Sequence, residues 1–266
     1  AEYLERFKAD EMPLPSTHSS ENSGKTTFQR LDRIWAHNNP GEFHTEAMTD
    51  EDRRQVCAAY LAMVSLIDHQ VGRILTVLEE TGQAENTLVV FMSDHGEMLG
   101  DHGIYFKGPH FYDCQLRVPL IMRWPAGGGV ENRRIDGLVE LVDLAPTFLD
   151  AASLEIPERI QGKSMLPMIQ GGAERLGCRE QVYSEYYNSW THGNAYGTML
   201  RTRDEKIVVY HGTDEGEFYD LANDPEEFFN LWDHPDALKR KNAMLARCFD
   251  ASVFTMDPHP PRMGPF

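Results

Sequence analysis

A long amphipathic helix followed by a short, wholly apolar strand is the feature that most constrains the fold of this chain. Along residues 49–81 apolar side chains recur at steps of three and four residues, which predicts one helix with a single apolar stripe. Thr49 and Asp52 resemble a capping box at its start, and Gly82 is a fitting stop at its end. Every position from Leu88 to Met92 is apolar, which indicates a strand covered on both faces, as in a parallel sheet. Helix and strand together are half of a βαβ unit and predict an α/β fold.

The rest of the chain predicts a second, smaller sheet. Val118–Trp124 is another apolar strand, and Asp143–Ala152 is a short helix. We predict two domains: residues 1–170 form a mixed sheet flanked by helices, and residues 171–266 form a small antiparallel sheet with a helix. The strands of that second sheet and its helix are predicted at 181–187, 199–203, 206–210, 217–221 and 235–248.

The acidic composition limits the classes of partner. The 266 residues carry a formal net charge of -17, so their surface repels the phosphate backbone of nucleic acids. Four separated cysteines without a CxxC pair argue against a structural zinc site and against a dense disulfide framework. The unbroken apolar runs are short, which predicts no membrane-spanning helix. An anionic substrate would need a metal ion or a few placed cations to reverse the local field.

Two candidate metal ligands follow the first apolar strand. Asp94 and His95 stand at the carboxyl end of that strand, where ligands gather in open α/β sheets, and a carboxylate beside an imidazole makes half of a divalent-metal site. Gly96 lets the backbone turn sharply beneath them. Lys107 comes twelve residues after His95 and can bring a positive charge to an anion held by the metal. Asp-His-Gly alone is a common turn pattern, so the wider context decides its meaning.

That context is a resemblance to a known family. The stretches Ser93–Gly103, Lys107–Tyr112, Arg117–Ile121 and Trp124–Pro125 together resemble the second signature region of the sulfatases, which belong to the alkaline phosphatase superfamily. Phe218–Pro225 is similar to part of the C-terminal subdomain of that family. The resemblance covers about residues 50–235, and it is also close to the phosphonate monoester hydrolases and the choline sulfatases.

The resemblance implies an α/β, alkaline-phosphatase-like fold and metal-assisted hydrolysis of sulfate esters. It implies that Asp94 and His95 are metal ligands, and that Lys107 binds the sulfate oxygens and acts in catalysis. The metal implied by the resemblance is calcium, with manganese or magnesium as alternatives. An imidazole ligand is less natural for calcium than for a transition metal, which is why manganese stays open. Hydrolysis of phosphonate or phosphate esters on the same scaffold is the alternative activity, since those relatives share the Asp-His pair and the lysine.

Other residues near these motifs have two interpretations each. His110 either takes part in catalysis or hydrogen-bonds the backbone. His192 either binds substrate from the C-terminal domain or lies in an ordinary surface loop. For Asp101 and His102, the second Asp-His-Gly, we favour a role in fixing the loop over a place in the site.

The sequence departs from the family where the nucleophile should stand. Residues 1–266 lack the Cys/Ser-x-Pro/Ala-x-Arg motif, whose cysteine becomes formylglycine in sulfatases, and they lack the N-terminal Asp pair that completes the metal site. We therefore expect a fragment, inactive alone, whose partner is the missing N-terminal half of the same protein. A non-catalytic metal-binding protein, complete as given, is the rival interpretation. A homo-oligomer is possible from the sequence, and the compartment is left open between the cytoplasm and the periplasm.

Overall fold

The computed structural model describes these residues: 2–34, 45–128, 132–171, 179–190 and 193–256. Contacts within the chain divide it into two units. Unit 1 comprises Ala1–Ala126 and Ser189–Asn194, and unit 2 comprises Gly127–Asn188 and Ala195–Phe266. This boundary differs from the predicted one, and the division into domains at residue 170 stays a prediction.

The long helix predicted from the apolar stripe is confirmed as α2 (Asp50–Glu80). Its capping box is also present. The side chain of Thr49 accepts a hydrogen bond from the backbone N–H of Asp52 at 3.2 Å, and the Asp52 carboxylate accepts one from the backbone N–H of Thr49 at 2.8 Å. These two bonds satisfy N–H groups that have no partner within the helix. The other α-helices described in unit 1 are α1 (Thr27–Ile34) and α3 (Asp113–Leu116).

The two strands described in unit 1 pair antiparallel, which corrects the parallel arrangement expected from the sequence. β1 (Val89–Met92) pairs with β2 (Leu120–Arg123), and Met92 lies opposite Leu120. β1 is half-buried along its length, and β2 alternates between half-buried and exposed residues. An apolar run predicts apolar surroundings but carries no information on strand direction. Direction is set here by a connection that joins neighbouring ends of the pair.

The apolar stripe of α2 is largely uncovered. Only Ala58 and Ala62 are buried on this helix, whereas Ile74 is 61% exposed. By length and composition alone, α2 is a candidate membrane span. The polar face of α2, however, contacts another part of the chain: the hydroxyl of Tyr3, near the start of the sequence, forms a hydrogen bond with His69 on the helix. The absence of a membrane partner stays a prediction.

A four-stranded sheet and three α-helices follow in the rest of the described chain. The bounds are β3 (Val182–Trp190), β4 (Gly193–Arg201), β5 (Glu205–Tyr210), β6 (Gly216–Asp220), α4 (Leu144–Ala151), α5 (Leu166–Ile169) and α6 (Leu238–Phe254). The sheet order is β3–β4–β5–β6, with antiparallel pairing of β4 with β5 and of β5 with β6. The predicted small antiparallel sheet is therefore confirmed, as is the C-terminal helix.

The main apolar core of unit 2 forms where α6 packs on this sheet. Leu200, Ile207 and Phe218 on the strands contact Met244 and Cys248 on the helix, and all five are buried. Burial of each large aliphatic or aromatic side chain stabilises the fold by about 1.5–3 kcal/mol. Most residues of β5 and β6 are buried, in the patterns of a sheet covered by other parts of the chain.

Two charged clusters are enclosed in the same unit. The Lys206 ammonium lies 2.5 Å from a Glu227 carboxylate oxygen, and both side chains are almost fully buried. The Glu217 carboxylate accepts hydrogen bonds from the hydroxyls of Tyr210 and Tyr219, each at 2.8 Å. Buried charges need such partners, because an uncompensated charge in the interior is very costly.

Candidate functional site

The candidate site lies on the connection between β1 and β2, residues 93–119. This loop is closely packed against the protein, because several of its apolar side chains are buried. They supply much of the buried apolar surface described in unit 1: Met98, Ile104, Tyr105, Phe111 and Tyr112. A loop anchored by its own side chains can hold polar groups in fixed positions, as a catalytic site requires.

Asp94 and His95 converge at the start of this loop. Asp94 Oδ2 lies 3.6 Å from His95 Nε2, and the Asp94 side chain is 83% exposed. The backbone N–H of His95 donates a hydrogen bond to Asp94 Oδ1 at 3.0 Å, which lowers the pKa of this carboxyl below its ordinary value. Asp94 therefore carries its negative charge at neutral pH and can act as an oxygen ligand.

The tautomer of His95 follows from its second contact. His95 Nδ1 lies 2.7 Å from the carbonyl oxygen of Gly96, and because a carbonyl only accepts, Nδ1 carries the proton. The lone pair is then on Nε2, which faces Asp94. A histidine ligand usually has one ring nitrogen oriented in this way by a neighbouring acceptor.

The Lys107 side chain completes the group. Its Nζ lies 3.0 Å from His95 Nε2, so the ammonium donates to the lone pair of the imidazole. The carboxylate, imidazole and ammonium predicted from the sequence thus lie together. Asp94 and His95 suit a divalent cation by their chemistry. Their role as metal ligands stays a prediction, and two side chains are not a full set: among the described residues, no group of three or more His, Cys, Asp or Glu side chains could hold a metal ion.

Glu97 holds the strained part of the loop. Leu99 and Phe106 have φ angles of 47° and 65°, in the left-handed region that non-glycine residues rarely adopt. Glu97 Oε1 accepts hydrogen bonds from both backbone N–H groups, at 3.1 Å from Leu99 and 2.7 Å from Phe106. Phe106 directly precedes Lys107, so this carboxylate bears on where the lysine stands. The sequence analysis missed Glu97, because no sequence pattern predicts a left-handed backbone conformation at a leucine or a phenylalanine.

His110 is enclosed and paired away from solvent. It is 1% exposed, and its Nε2 lies 2.8 Å from Asp32 Oδ2 on α1. This is the environment of a residue that fixes the loop, through a side chain and not through the backbone hydrogen bond considered in the sequence analysis. Its catalytic role stays a prediction. His192, predicted to bind substrate, lies outside the described residues.

Asp101 and His102 fix the loop to the N-terminal segment, as we favoured. Asp101 Oδ1 accepts a hydrogen bond from the backbone N–H of Ser16 at 2.7 Å. His102 Nδ1 lies 3.1 Å from Glu21 Oε2, and the same carboxylate oxygen lies 2.7 Å from Lys25 Nζ. Residues 16–25 contain a short 3-10 helix, Ser19–Ser23, and contact the loop of the candidate site through these bonds.

Acid is expected to weaken this docking. Burial alone would raise the pKa of Glu21, but hydrogen bonds from His102 and Lys25 outweigh it and lower the pKa from 4.5 to about 2. A carboxyl whose pKa is depressed by folding stabilises the fold above its unfolded value, and that contribution is lost as the pH falls towards the folded value. We expect this group to account for about 3 kcal/mol of stability lost between pH 5 and pH 2.

Urea unfolding at a series of pH values checks this expectation. Glu21→Gln should flatten the fall in stability between pH 5 and pH 2, whereas the same change at the exposed Glu158 should leave it unaltered. An equally steep fall in Glu21→Gln and in the unmodified chain would contradict it.

Two protein-family models and a set of curated relatives match this chain. The family model "Sulfatase" matches residues 7–154, and the model "N-sulphoglucosamine sulphohydrolase, C-terminal" matches residues 100–251. The chain is 34% identical over 211 residues to N-acetylglucosamine-6-O-sulfatase of Bacteroides thetaiotaomicron, covering 77% of this chain and 37% of the relative. It is 34% identical over 177 residues to an arylsulfatase of Clostridium perfringens, covering 65% and 35% respectively.

Solved structures agree on the fold. A phosphonate monoester hydrolase from Silicibacter pomeroyi superposes with a TM-score of 0.84 at 26% identity, covering 97% of this chain and 53% of that one. A 2-O GAG sulfatase superposes with a TM-score of 0.79 at 27% identity, covering 92% and 53%. The alkaline-phosphatase-like α/β class is thereby confirmed. The chain spans less than half the length of the curated relatives named above.

Proposed function

The chain belongs to the sulfatase family, and from that premise we propose that the full-length protein hydrolyses sulfate esters with a divalent metal ion. The observation that carries this proposal is the 3.0 Å contact between Lys107 Nζ and His95 Nε2, with the Asp94 carboxylate beside them. A cation-binding pair and an ammonium group on one packed loop suit a negatively charged, oxygen-rich transferring group.

The residues of this chain have distinct roles in that proposal. Asp94 and His95 hold the metal, which when bound supplies Lewis-acid stabilisation of charge on the sulfate oxygens. Lys107 turns its ammonium from His95 towards those oxygens and donates to them as negative charge develops. Gly96 keeps the proton of His95 on Nδ1. The remaining ligands and the nucleophile, a formylglycine or related group, are proposed to come from outside residues 1–266.

Calcium is the proposed metal, with manganese or magnesium as alternatives. Sulfatases generally use a divalent metal, and a carboxylate ligand suits calcium well. The imidazole ligand is the feature that favours manganese, because nitrogen donors prefer transition metals.

The missing N-terminal half of the same protein is the proposed partner. Met63, Ile67 and Ile74 on α2 are each more than half exposed, and Ile121 on β2 is 63% exposed. Apolar surface of this extent is normally covered by protein. We propose neither nucleic acid nor a membrane as partner. The substrate is proposed to be a small sulfate ester, and a homo-oligomer remains compatible with the same surface.

Phosphonate ester hydrolysis is the second candidate activity. The match of 97% of this chain to a phosphonate monoester hydrolase, at a TM-score of 0.84, is the observation that favours it. The same three side chains would serve either reaction, because both transferring groups present negatively charged oxygens to a metal and an ammonium.

Paired assays of the protein expressed from its full reading frame test the proposal. We expect metal-replete protein to hydrolyse an aryl sulfate with a higher kcat/KM than the matched aryl phosphonate ester. Chelation should abolish turnover, and return of the metal should restore it. A strong preference for the phosphonate would replace the first activity by the second. Turnover of neither ester, with metal and nucleophile in place, would leave a non-catalytic metal-binding protein.

A further inference from the structure

One glutamine on α3 contacts both ends of the candidate site. The backbone carbonyl of Gln115 accepts a hydrogen bond from the N–H of Gly96 at 2.6 Å. Its side-chain amide makes two bonds to Gly108: Oε1 accepts from the backbone N–H at 3.3 Å, and Nε2 donates to the carbonyl oxygen at 2.8 Å. Gln115 is buried, so water competes little for these bonds.

Gln115 contacts two glycines. Each of them is the next residue in the chain after one of the two residues that meet in the site. Gly96 follows His95, and Gly108 follows Lys107. A side chain has no room at either glycine. A Cβ atom on Gly96 would overlap the carbonyl oxygen of Cys114, and one on Gly108 would lie 2.8 Å from Asp32 Oδ2. The backbone is therefore closely packed at both points.

We propose that Gln115 is a positioning residue that sets the spacing between His95 and Lys107. The two residues are twelve positions apart, and the described bonds of Gln115 link the backbone beside one to the backbone beside the other. The claim about spacing is independent of the reaction. Its effect on turnover rests on the proposed function, because only there do the imidazole and the ammonium act together.

The amide of Gln115 is separable from the helix that carries it. The turn of α3 is held by backbone hydrogen bonds from Gln115 and Leu116 to the carbonyl of Tyr112, each at 3.0 Å. Gln115→Met keeps the length of the side chain and the bond to Gly96 but removes both bonds to Gly108. Gln115→Glu keeps an acceptor for the N–H of Gly108 and places a carboxylate oxygen against its carbonyl.

Crystal structures of the metal-free full-length protein test the spacing directly. We expect the distance from Lys107 Nζ to His95 Nε2 to increase beyond hydrogen-bonding range in Gln115→Met, and equally in Gln115→Glu. An unchanged contact in either variant would overturn the proposal, whether or not the protein proves to be a hydrolase. The glutamate variant decides the matter if the methionine variant does not fold.

Kinetics of the same variants test the consequence for the reaction. We expect Gln115→Met to lower kcat by roughly 10- to 100-fold with KM changed less than about threefold, since a displacement of about 1 Å can cost a hundredfold. Gln170→Met is the matched control, because Gln170 also donates its amide to a glycine carbonyl, that of Gly127 at 3.0 Å, and should be neutral. An unchanged kcat in Gln115→Met would show the spacing to be irrelevant to turnover. Failure of the unmodified protein to turn over either ester would refute the proposed function and leave the crystallographic test intact.

Discussion

Replacement of Lys107 by methionine is expected to lower kcat for sulfate-ester hydrolysis by roughly 10²–10³-fold in the full-length protein. Lys107 is exposed, and its Nζ lies 3.0 Å from His95 Nε2, so the ammonium is available to an anion at that place. Methionine keeps a flexible chain of similar length and removes only the charge and the donors. The loss should fall mainly on kcat, because the charge on the transferring group is greatest in the transition state.

Two comparisons make this result specific. Lys107→Arg should recover little of the activity, because a planar guanidinium directs its donors differently from a compact ammonium. Lys239→Met, at an exposed position on α6, should leave kcat within about twofold of the unmodified enzyme. A Lys107→Met enzyme with kcat within about threefold of normal would remove the lysine from the mechanism.

Replacement of Lys206 by methionine is expected to lower the free energy of unfolding of unit 2 by about 3–5 kcal/mol. Lys206 and Glu227 are enclosed with their charged atoms 2.5 Å apart, so the variant leaves a carboxylate in the interior without this ammonium. The effect should be read from urea unfolding followed by a probe in unit 2, where Trp232 packs against the core.

The double variant Lys206→Met with Glu227→Gln separates charge from packing. We expect it to regain at least half of the lost stability, because no unbalanced charge is then enclosed. Glutamine is chosen at position 227 because its shape matches that of glutamate. The backbone φ at this position is 59°, in the left-handed region, and a side chain of the same shape adds no further strain there. A double variant as unstable as Lys206→Met alone would show that packing around the lysine, and not its charge, matters.

The sequence was sufficient wherever a feature repeats locally. Helix α2 could be predicted with its cap because the apolar period and the Thr49–Asp52 pair lie within one segment. Asp94 and His95 could be predicted as a pair because they are neighbours in the chain. Lys107 was a candidate from its place on the same loop, and its catalytic role was implied by the family resemblance. A spacing of twelve residues does not by itself place an ammonium beside an imidazole.

Contacts between distant residues were beyond the sequence analysis. The antiparallel direction of β1 and β2, the pairing of Asp32 with His110 and the docking of Glu21 on His102 each depend on how loops return. The roles of Glu97 and Gln115 were missed for a related reason. Both bind backbone groups, whose positions depend on how the whole loop folds. For Glu97 these groups belong to left-handed residues, Leu99 and Phe106, and for Gln115 they belong to Gly96 and Gly108.

The facing of Met92 and Leu120 across the β1–β2 pair has a consequence for protein engineering. The segment between them leaves and re-enters the sheet at adjacent points, so it can be transplanted as one cassette without altering the strands that flank it. Chimeras that exchange this cassette between relatives should also carry the docking segment around Glu21 and the Asp32 turn of α1. The loop is anchored at both places, through His102 on Glu21 and His110 on Asp32.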